Sequence, residues 1–209
     1  MKTSPSLLLV TAVALLGSTV SSEAANTVHP GLKGDLVASE GKRLSKFDDT
    51  PLGQAKYYGI YYSAAWCGPC RAFTPDLVQW YKRHKKANPH FEMIFVSSDR
   101  SEDDMAKYMK DDDMPWPALD FSKKAKSPLA KYSAKGIPCL VLIDEEGKVL
   151  SHSYEGDKYV GPRKVLEDIE KTLKANPASA EAKAAAATTT GKVGTSSFDE
   201  AFKKKPAAQ

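Results

Sequence analysis

Between residues 57 and 71 the sequence reads YYGIYYSAAWCGPCR. Its first seven residues are β-prone and uncharged, which is typical of a strand buried on both faces of a sheet. Pro69 suits the first turn of a helix. Apolar residues then follow at helical spacing: Phe73, Leu77, Trp80 and Tyr81. We therefore predict a buried strand that leads through Cys67 and Cys70 into a helix over about residues 69–86.

The two cysteines point to thiol chemistry. At a helix start, backbone N–H groups and the helix dipole favour the thiolate of Cys67, and a thiolate is the nucleophile of disulfide exchange. Cys70, one turn into the helix, would resolve the mixed disulfide, while Gly68 and Pro69 set the turn. An inert disulfide and a metal site remain alternatives. Zinc needs two further ligands, and neither Cys139 nor the four histidines show ligand spacing, so we expect no metal and no cofactor.

The flanking sequence predicts the rest of an α/β domain. Patterns of apolar and turn residues indicate a hairpin over 36–45, a buried strand over 91–97 and a helix that opens at Ser101. They also indicate a short helix over 128–133, a strand over 137–144 with a tight turn into 149–152, and a helix over 160–173. This order predicts a central mixed sheet flanked by helices on both faces, with an N-terminal β-hairpin.

Residues 61–71 resemble the active-site segment of the thioredoxin superfamily, and the branch of tryparedoxins and nucleoredoxins in particular. Further motifs carry the resemblance: FTP at 73–75, VSSD at 96–99 before an acidic helix start, MPW at 114–116 and GIP at 136–138. The resemblance covers roughly residues 33–173 and implies the thioredoxin fold. It also implies that protein thiols and disulfides are the substrates.

The resemblance assigns roles to individual residues. Cys67 would attack and Cys70 would resolve, so that the two form a redox-active disulfide. Trp66 would flank the site, and Pro138 would be in the cis form and face the disulfide. The backbone of Ile137 would pair with a substrate chain. The resemblance thus implies a substrate-binding set of Trp66, Gly68, Pro69, Ile137 and Pro138.

Four positions depart from the family pattern or need a separate interpretation. Gly68 and Pro69 form the thioredoxin dipeptide, whereas tryparedoxins usually have Pro-Pro. Tyr61 stands where thioredoxins carry a buried acid, and a tyrosine is a poor base at its ordinary pKa. Trp116 is either core packing or a neighbour of the site. Cys139 follows Pro138, so we expect its thiol close to the pair, either as a small core residue or as a third redox thiol.

The ends differ from the middle of the chain. Lys2 followed by the apolar run 7–17 and by Ala24 predicts a signal peptide over residues 1–24. The run is too short to span a bilayer, so we expect an extracytoplasmic protein, periplasmic or secreted, without stable membrane insertion. An N-terminal extension over 25–32 and a thioredoxin-like domain over 33–174 would follow. Residues 175–209 are rich in Ala, Thr and Lys, which predicts a low-complexity, disordered tail.

Composition and charge narrow the function further. The chain has 209 residues, 42% hydrophobic and 27% charged, which fits one globular domain with extensions. Of the net charge of +4, residues 174–209 supply +3, from six lysines and three acidic residues. The domain itself is therefore nearly neutral, which argues against nucleic acid as a partner. We expect a monomer.

The predicted function is thiol–disulfide exchange with protein substrates, together with an unidentified electron donor or acceptor protein. Gly68 and Pro69 favour the reducing direction, whereas an exported protein favours the oxidising one, because exported thiols need a donor of electrons to stay reduced. Two alternatives remain open. A thiol peroxidase would need a threonine three residues before the attacking cysteine, where this chain has Ala64. A non-catalytic binding module of the same fold is the other.

Overall fold

The computed structural model describes residues 26–41 and 43–190. Within them lie nine strands: β1 (Leu36–Glu40), β2 (Arg43–Lys46), β3 (Tyr57–Ser63), β4 (Phe91–Ser97), β5 (Ala118–Leu119), β6 (Cys139–Asp144), β7 (Val149–His152), β8 (Tyr154–Glu155) and β9 (Lys158–Tyr159). The described part also contains four α-helices: α1 (Gly68–His84), α2 (Glu102–Asp111), α3 (Pro162–Ala175) and α4 (Ala180–Thr190).

Seven of these strands form one mixed sheet in the order β2-β1-β5-β4-β3-β6-β7. Strand β3 is central, parallel to β4 and antiparallel to β6. Its side chains alternate between two cores, with Tyr58 and Ile60 in one and Tyr61 in the other. This placement explains why the strand is apolar and aromatic along its whole length.

The two faces of the sheet are covered differently. Helices α1, α2 and α3 pack on the face of Tyr61. The opposite face is covered by residues near the N-terminus and by 3₁₀ helices at Pro30–Leu32, Thr50–Gln54 and Pro128–Tyr132. The predicted mixed sheet with helices on both faces is confirmed, with only short helices on the second face.

The elements that carry the motifs were predicted within a few residues. Strand β4 covers residues 91–97 as expected, and α1 covers 68–84 with Pro75 inside it. Ser101 caps α2, since its hydroxyl accepts the N–H of Asp104. The hairpins β1–β2 and β6–β7 are both present.

Other elements differ from the prediction. Residues 137 and 138 precede β6 instead of opening it, and α3 begins at Pro162. Strand β5 and the β8–β9 hairpin were not anticipated. Helix α4 lies in the segment predicted to be a disordered tail. Val28 and Leu32, in the predicted N-terminal extension, are buried in the core.

The predicted signal peptide and the end of the tail lie outside the described residues. In the part of the chain that is described, none of the helices has the length and apolarity that a membrane span requires. The proposed domain boundaries remain predictions.

Candidate active site

Cys67 and Cys70 form a disulfide at the point where β3 leads into α1. Cys67 is the N-cap residue of the helix, and Cys70 lies one turn inside it. Cys70 is completely buried, whereas Cys67 lines an open groove on the surface. An incoming thiol or disulfide therefore meets Cys67 before Cys70, and the attacking role of Cys67 stays a prediction.

The helix start favours negative charge on the Cys67 sulfur. The backbone N–H of Cys70 donates to this sulfur at 3.2 Å. The first turn of α1 contains no acidic residue, so the helix dipole acts on the sulfur without a compensating carboxylate in that turn. In the reduced protein, this setting stabilises the thiolate over the thiol.

The segment before Cys67 is held by the loop that follows β4. Asp99 is buried and accepts the backbone N–H of Ala65 at 2.8 Å and the hydroxyl of Ser97 at 2.8 Å. The indole of Trp66 donates to the carbonyl of Ser98 at 3.3 Å, although 59% of the Trp66 surface is exposed. Trp66 thus presents an apolar face to solvent beside Cys67 from a fixed position.

The groove brings together most of the residues predicted to bind substrate. Its lining consists of Trp66, Cys67, Gly68, Pro69, Ser98, Ala134, Lys135, Gly136 and Ile137. The peptide bond between Ile137 and Pro138 is cis, as the family resemblance implied. The carbonyl oxygen of Ile137 lies 3.7 Å from the Cys67 sulfur, so a backbone able to pair with an extended chain borders the reactive atom.

A network of buried hydroxyls lies beneath Cys70. Thr74 donates to the Cys70 carbonyl at 2.9 Å, and its oxygen lies 2.8 Å from the Tyr61 hydroxyl and 2.6 Å from the Tyr108 hydroxyl. Tyr108 also lies 2.9 Å from the hydroxyl of Ser63. Thr74 has a single hydroxyl proton, and with that proton on the Cys70 carbonyl both tyrosines can donate to Thr74 while Tyr108 accepts from Ser63.

Tyr61 belongs to this network and stands at the position where thioredoxins carry a buried acid. Burial raises the pKa of Tyr61 far above its ordinary value and also raises the pKa of Tyr108. Both hydroxyls therefore stay neutral, and Tyr61 supports the Cys70 carbonyl region without acting as a base. The site uses neutral hydrogen bonds where thioredoxins use a buried acid.

Two further candidates lie away from the groove. Trp116 is buried in the core, where its ring meets those of Tyr61 and Tyr81 edge to face at 6.5 Å and 5.4 Å. Cys139 is fully buried in the core on the face opposite α1. Its thiol is 4.0 Å from His152, and burial raises its pKa to about 11. The structure does not bring either residue together with the cysteine pair.

The sequence prediction missed several parts of the site. Ser98 and Asp99 follow β4, which is parallel to β3, so the carboxyl ends of both strands meet at one edge of the sheet. A parallel pairing of these two strands would have predicted that both residues lie near Cys67. The hydroxyls of Ser63, Thr74 and Tyr108 had no such signal. Among the described residues, no group of three or more His, Cys, Asp or Glu could hold a metal ion.

Known proteins are similar to this chain in sequence and in fold. A family model described as thioredoxin-like matches residues 54–149. Human nucleoredoxin is 37% identical over 122 residues, which cover 57% of this chain and 27% of the nucleoredoxin. Tryparedoxin of Trypanosoma brucei brucei is 38% identical over 107 residues, which cover 49% of this chain and 72% of that protein. The chain thus spans only about a quarter of the nucleoredoxins it matches.

Solved structures give the same result. A structure of tryparedoxin II complexed with glutathionylspermidine matches with a TM-score of 0.52 and 30% identity, covering 71% of this chain and 99% of that one. Tryparedoxin from Trypanosoma brucei matches with a TM-score of 0.50 and 28% identity, covering 66% and 92%. By sequence and by fold, this chain belongs to the thioredoxin-like oxidoreductase family that includes the tryparedoxins and the nucleoredoxins.

Proposed function

We propose that the chain exchanges disulfides with protein substrates through Cys67 and Cys70, and that it works in the reducing direction. One observation carries the proposal. The sulfur of Cys67 borders an open groove and lies 3.7 Å from the carbonyl oxygen of Ile137, with Cys70 buried directly behind it. An extended substrate chain that pairs with the Ile137 backbone places its own disulfide next to Cys67.

The exchange reaction needs no buried carboxylate to accept the Cys70 proton. The Cys67 thiolate attacks one sulfur of the substrate disulfide, forms a mixed disulfide and releases the other substrate sulfur as a thiolate. Cys70 then attacks Cys67 and releases the second substrate sulfur. The proton of Cys70 passes to one of the released thiolates, directly or through groove water. One substrate disulfide is thus reduced to one thiol and one thiolate, which takes its proton from water, and the Cys67–Cys70 pair is oxidised to its disulfide.

The direction rests on the residues between the cysteines. Gly68 and Pro69 form the dipeptide of thioredoxin, whose potential lies at about −270 mV, against about −120 mV for a strongly oxidising relative of the fold. The N–H donated by Cys70 and the dipole of α1 stabilise the Cys67 thiolate. Because stabilising the reduced form raises the reduction potential, this effect opposes the reducing direction, and the proposal of that direction rests on the dipeptide. A reduction potential measured against glutathione and dithiothreitol tests the direction, and a value near the oxidising end would contradict it.

Reduction of insulin disulfides by dithiothreitol tests the activity. Cys67→Ser should abolish the acceleration, because the attacking sulfur is lost. Cys139→Ala is the matched control, since it removes a cysteine that does not contact the pair and should keep most of the rate. An unchanged rate in Cys67→Ser would refute the proposal. Peroxide consumption without insulin reduction would support a thiol peroxidase instead.

We also propose that the protein acts outside the cytoplasm as a monomer. The support for export is the apolar run 7–17 after Lys2, followed by the small residues Ser22 and Ala24 at the two positions that a signal peptidase reads. Fractionation of cells that express the full chain tests export, and a protein confined to the cytoplasm would refute it; N-terminal sequencing of the exported protein separates cleavage after Ala24 from an uncleaved anchor. Size-exclusion chromatography with light scattering tests the monomer.

A further inference from the structure

The β8–β9 hairpin packs directly against the segment that borders the attacking sulfur. The hydroxyl of Tyr159, in β9, donates to the carbonyl of Pro138 at 2.9 Å. The hydroxyl of Tyr154, in β8, lies where a side chain on Gly136 would go: a Cβ at position 136 would be 2.7 Å from it. The hairpin therefore contacts the segment on both sides of Ile137.

The base of this hairpin is fixed to the central sheet. The buried Ser153 accepts the N–H of Leu140 with its hydroxyl oxygen at 2.8 Å and donates to the Leu140 carbonyl through its backbone N–H and its hydroxyl, both at 3.0 Å. The Ser153 carbonyl in turn accepts the N–H groups of Val160 and Gly161 at 2.9 Å and 3.1 Å. The start and the end of the hairpin are thus tied to one point next to β6.

The tyrosines are also held within the hairpin. Their rings lie 4.9 Å apart, and the N–H of Tyr154 donates to the Nδ1 atom of His152 at 2.9 Å. Tyr154 and Ile137 both pack against the core cluster on the second face of the sheet. The Lys135–Asp157 ion pair adds a contact at 2.9 Å, although both groups are exposed and such pairs contribute little.

From these contacts we infer that the β8–β9 hairpin sets the position of residues 136–138 for substrate pairing, with Tyr154 and Tyr159 as positioning residues. The inference rests on the proposed function, because it assumes that a substrate chain pairs with Ile137. Neither tyrosine contacts the disulfide in the structure. Their loss should therefore weaken the binding of an extended protein substrate and leave the chemistry of the sulfurs unchanged.

Tyr159→Phe gives the first test, with two substrates compared in parallel. In the proposed function the backbone of insulin pairs with Ile137, whereas the small aromatic disulfide 5,5′-dithiobis(2-nitrobenzoate) has no peptide backbone to pair. We expect the KM for insulin to rise about two- to tenfold, the value of one neutral hydrogen bond, with kcat, the rate with the small disulfide and the reduction potential unchanged. Tyr57→Phe is the matched control, because Tyr57 begins β3 at the end far from the site, and it should change none of these.

A second test uses the contact with Gly136. Gly136→Ala should slow insulin reduction, because the new methyl group collides with the Tyr154 hydroxyl. Tyr154→Phe removes that hydroxyl and leaves the nearest ring carbon 4.0 Å from the new methyl carbon, an ordinary contact. The double variant should therefore reduce insulin faster than Gly136→Ala.

The outcomes separate the inference from the proposed function. A wild-type chain that reduces the small disulfide but not insulin would refute the proposed function. Given an active wild type, an unchanged KM in Tyr159→Phe would refute the inference. So would equal losses on both substrates, which indicate a general structural defect, or a double variant as slow as Gly136→Ala.

Discussion

The buried hydroxyl network beneath Cys70 gives a sharp prediction for Thr74. This residue is completely buried, and its single hydroxyl donates to the Cys70 carbonyl while accepting from Tyr61 and Tyr108. Thr74→Val replaces this hydroxyl with a methyl group of similar size. Shape and volume are nearly kept, whereas both tyrosine hydroxyls lose their contact with the Thr74 oxygen.

The cost follows from the groups left without partners. An unsatisfied buried hydroxyl costs about 1–3 kcal/mol. After Thr74→Val, Ser63 and Tyr108 can form only one hydrogen bond with each other, so one of their two hydroxyl protons has no acceptor within the network. Tyr61 keeps the Cys70 carbonyl at 3.5 Å and loses less. We therefore expect Thr74→Val to lower the free energy of unfolding by about 2–4 kcal/mol. Thr74→Ser keeps the hydroxyl and loses one methyl group, for about 1 kcal/mol. Helix propensities of the three residues are similar.

Urea unfolding of the oxidised protein measures both variants against the wild type. Equal m-values in the three proteins would show that the same surface is exposed on unfolding. We expect the free energy of unfolding to fall in the order wild type, Thr74→Ser, Thr74→Val. If Thr74→Val were as stable as Thr74→Ser, the hydroxyl network would contribute nothing, and the assignment of donors and acceptors would be wrong.

Three further predictions concern groups near the site. Cys139 should resist alkylation in the native protein, because burial raises its pKa to about 11. For the same reason its contribution to the free energy of unfolding should be full below about pH 9 and should fall as the pH rises toward 11. Unfolding measured as a function of pH should show this loss in the wild type and not in Cys139→Ala. Tyr61→Phe should leave the pH profile of insulin reduction unshifted, and a displaced profile would make Tyr61 a proton carrier. Asp99→Ala, which strands the Ala65 N–H, should slow insulin reduction about threefold or more, whereas Asp99→Asn keeps an acceptor and most of the rate.

The sequence predicted the fold well because its signals were local. The β3 run, the spacing in α1 and the cap at Ser101 each act within a few residues, so propensity and periodicity find them. The cis peptide bond before Pro138 came from the family resemblance alone. Nothing local marked the β8–β9 hairpin, since its strands are two residues long and its role depends on contacts with residues 136–138.

Thr74 and Tyr108 show a different limit. In the sequence Thr74 is a polar residue within an amphipathic helix, where such residues usually face solvent. Tyr108 belongs to the apolar face of its helix, but the partner of its hydroxyl has no local signal. Both residues are buried because α1 and α2 pack against the end of β3, where each hydroxyl forms a hydrogen bond with a residue of another element. A pattern that follows one helix at a time cannot anticipate a hydrogen bond that joins three elements.

Cys139 shows why closeness in sequence misled. It follows Pro138, so its thiol was expected near the disulfide. It is also the first residue of β6, paired with Tyr62 of β3, and paired residues point to the same face of a sheet. Tyr62 lies in the core opposite α1, so Cys139 must lie there too, whereas Leu140 faces α1. Knowing the β3–β6 register would have been enough to separate this thiol from the pair, and that register depends on long-range pairing which the sequence does not display.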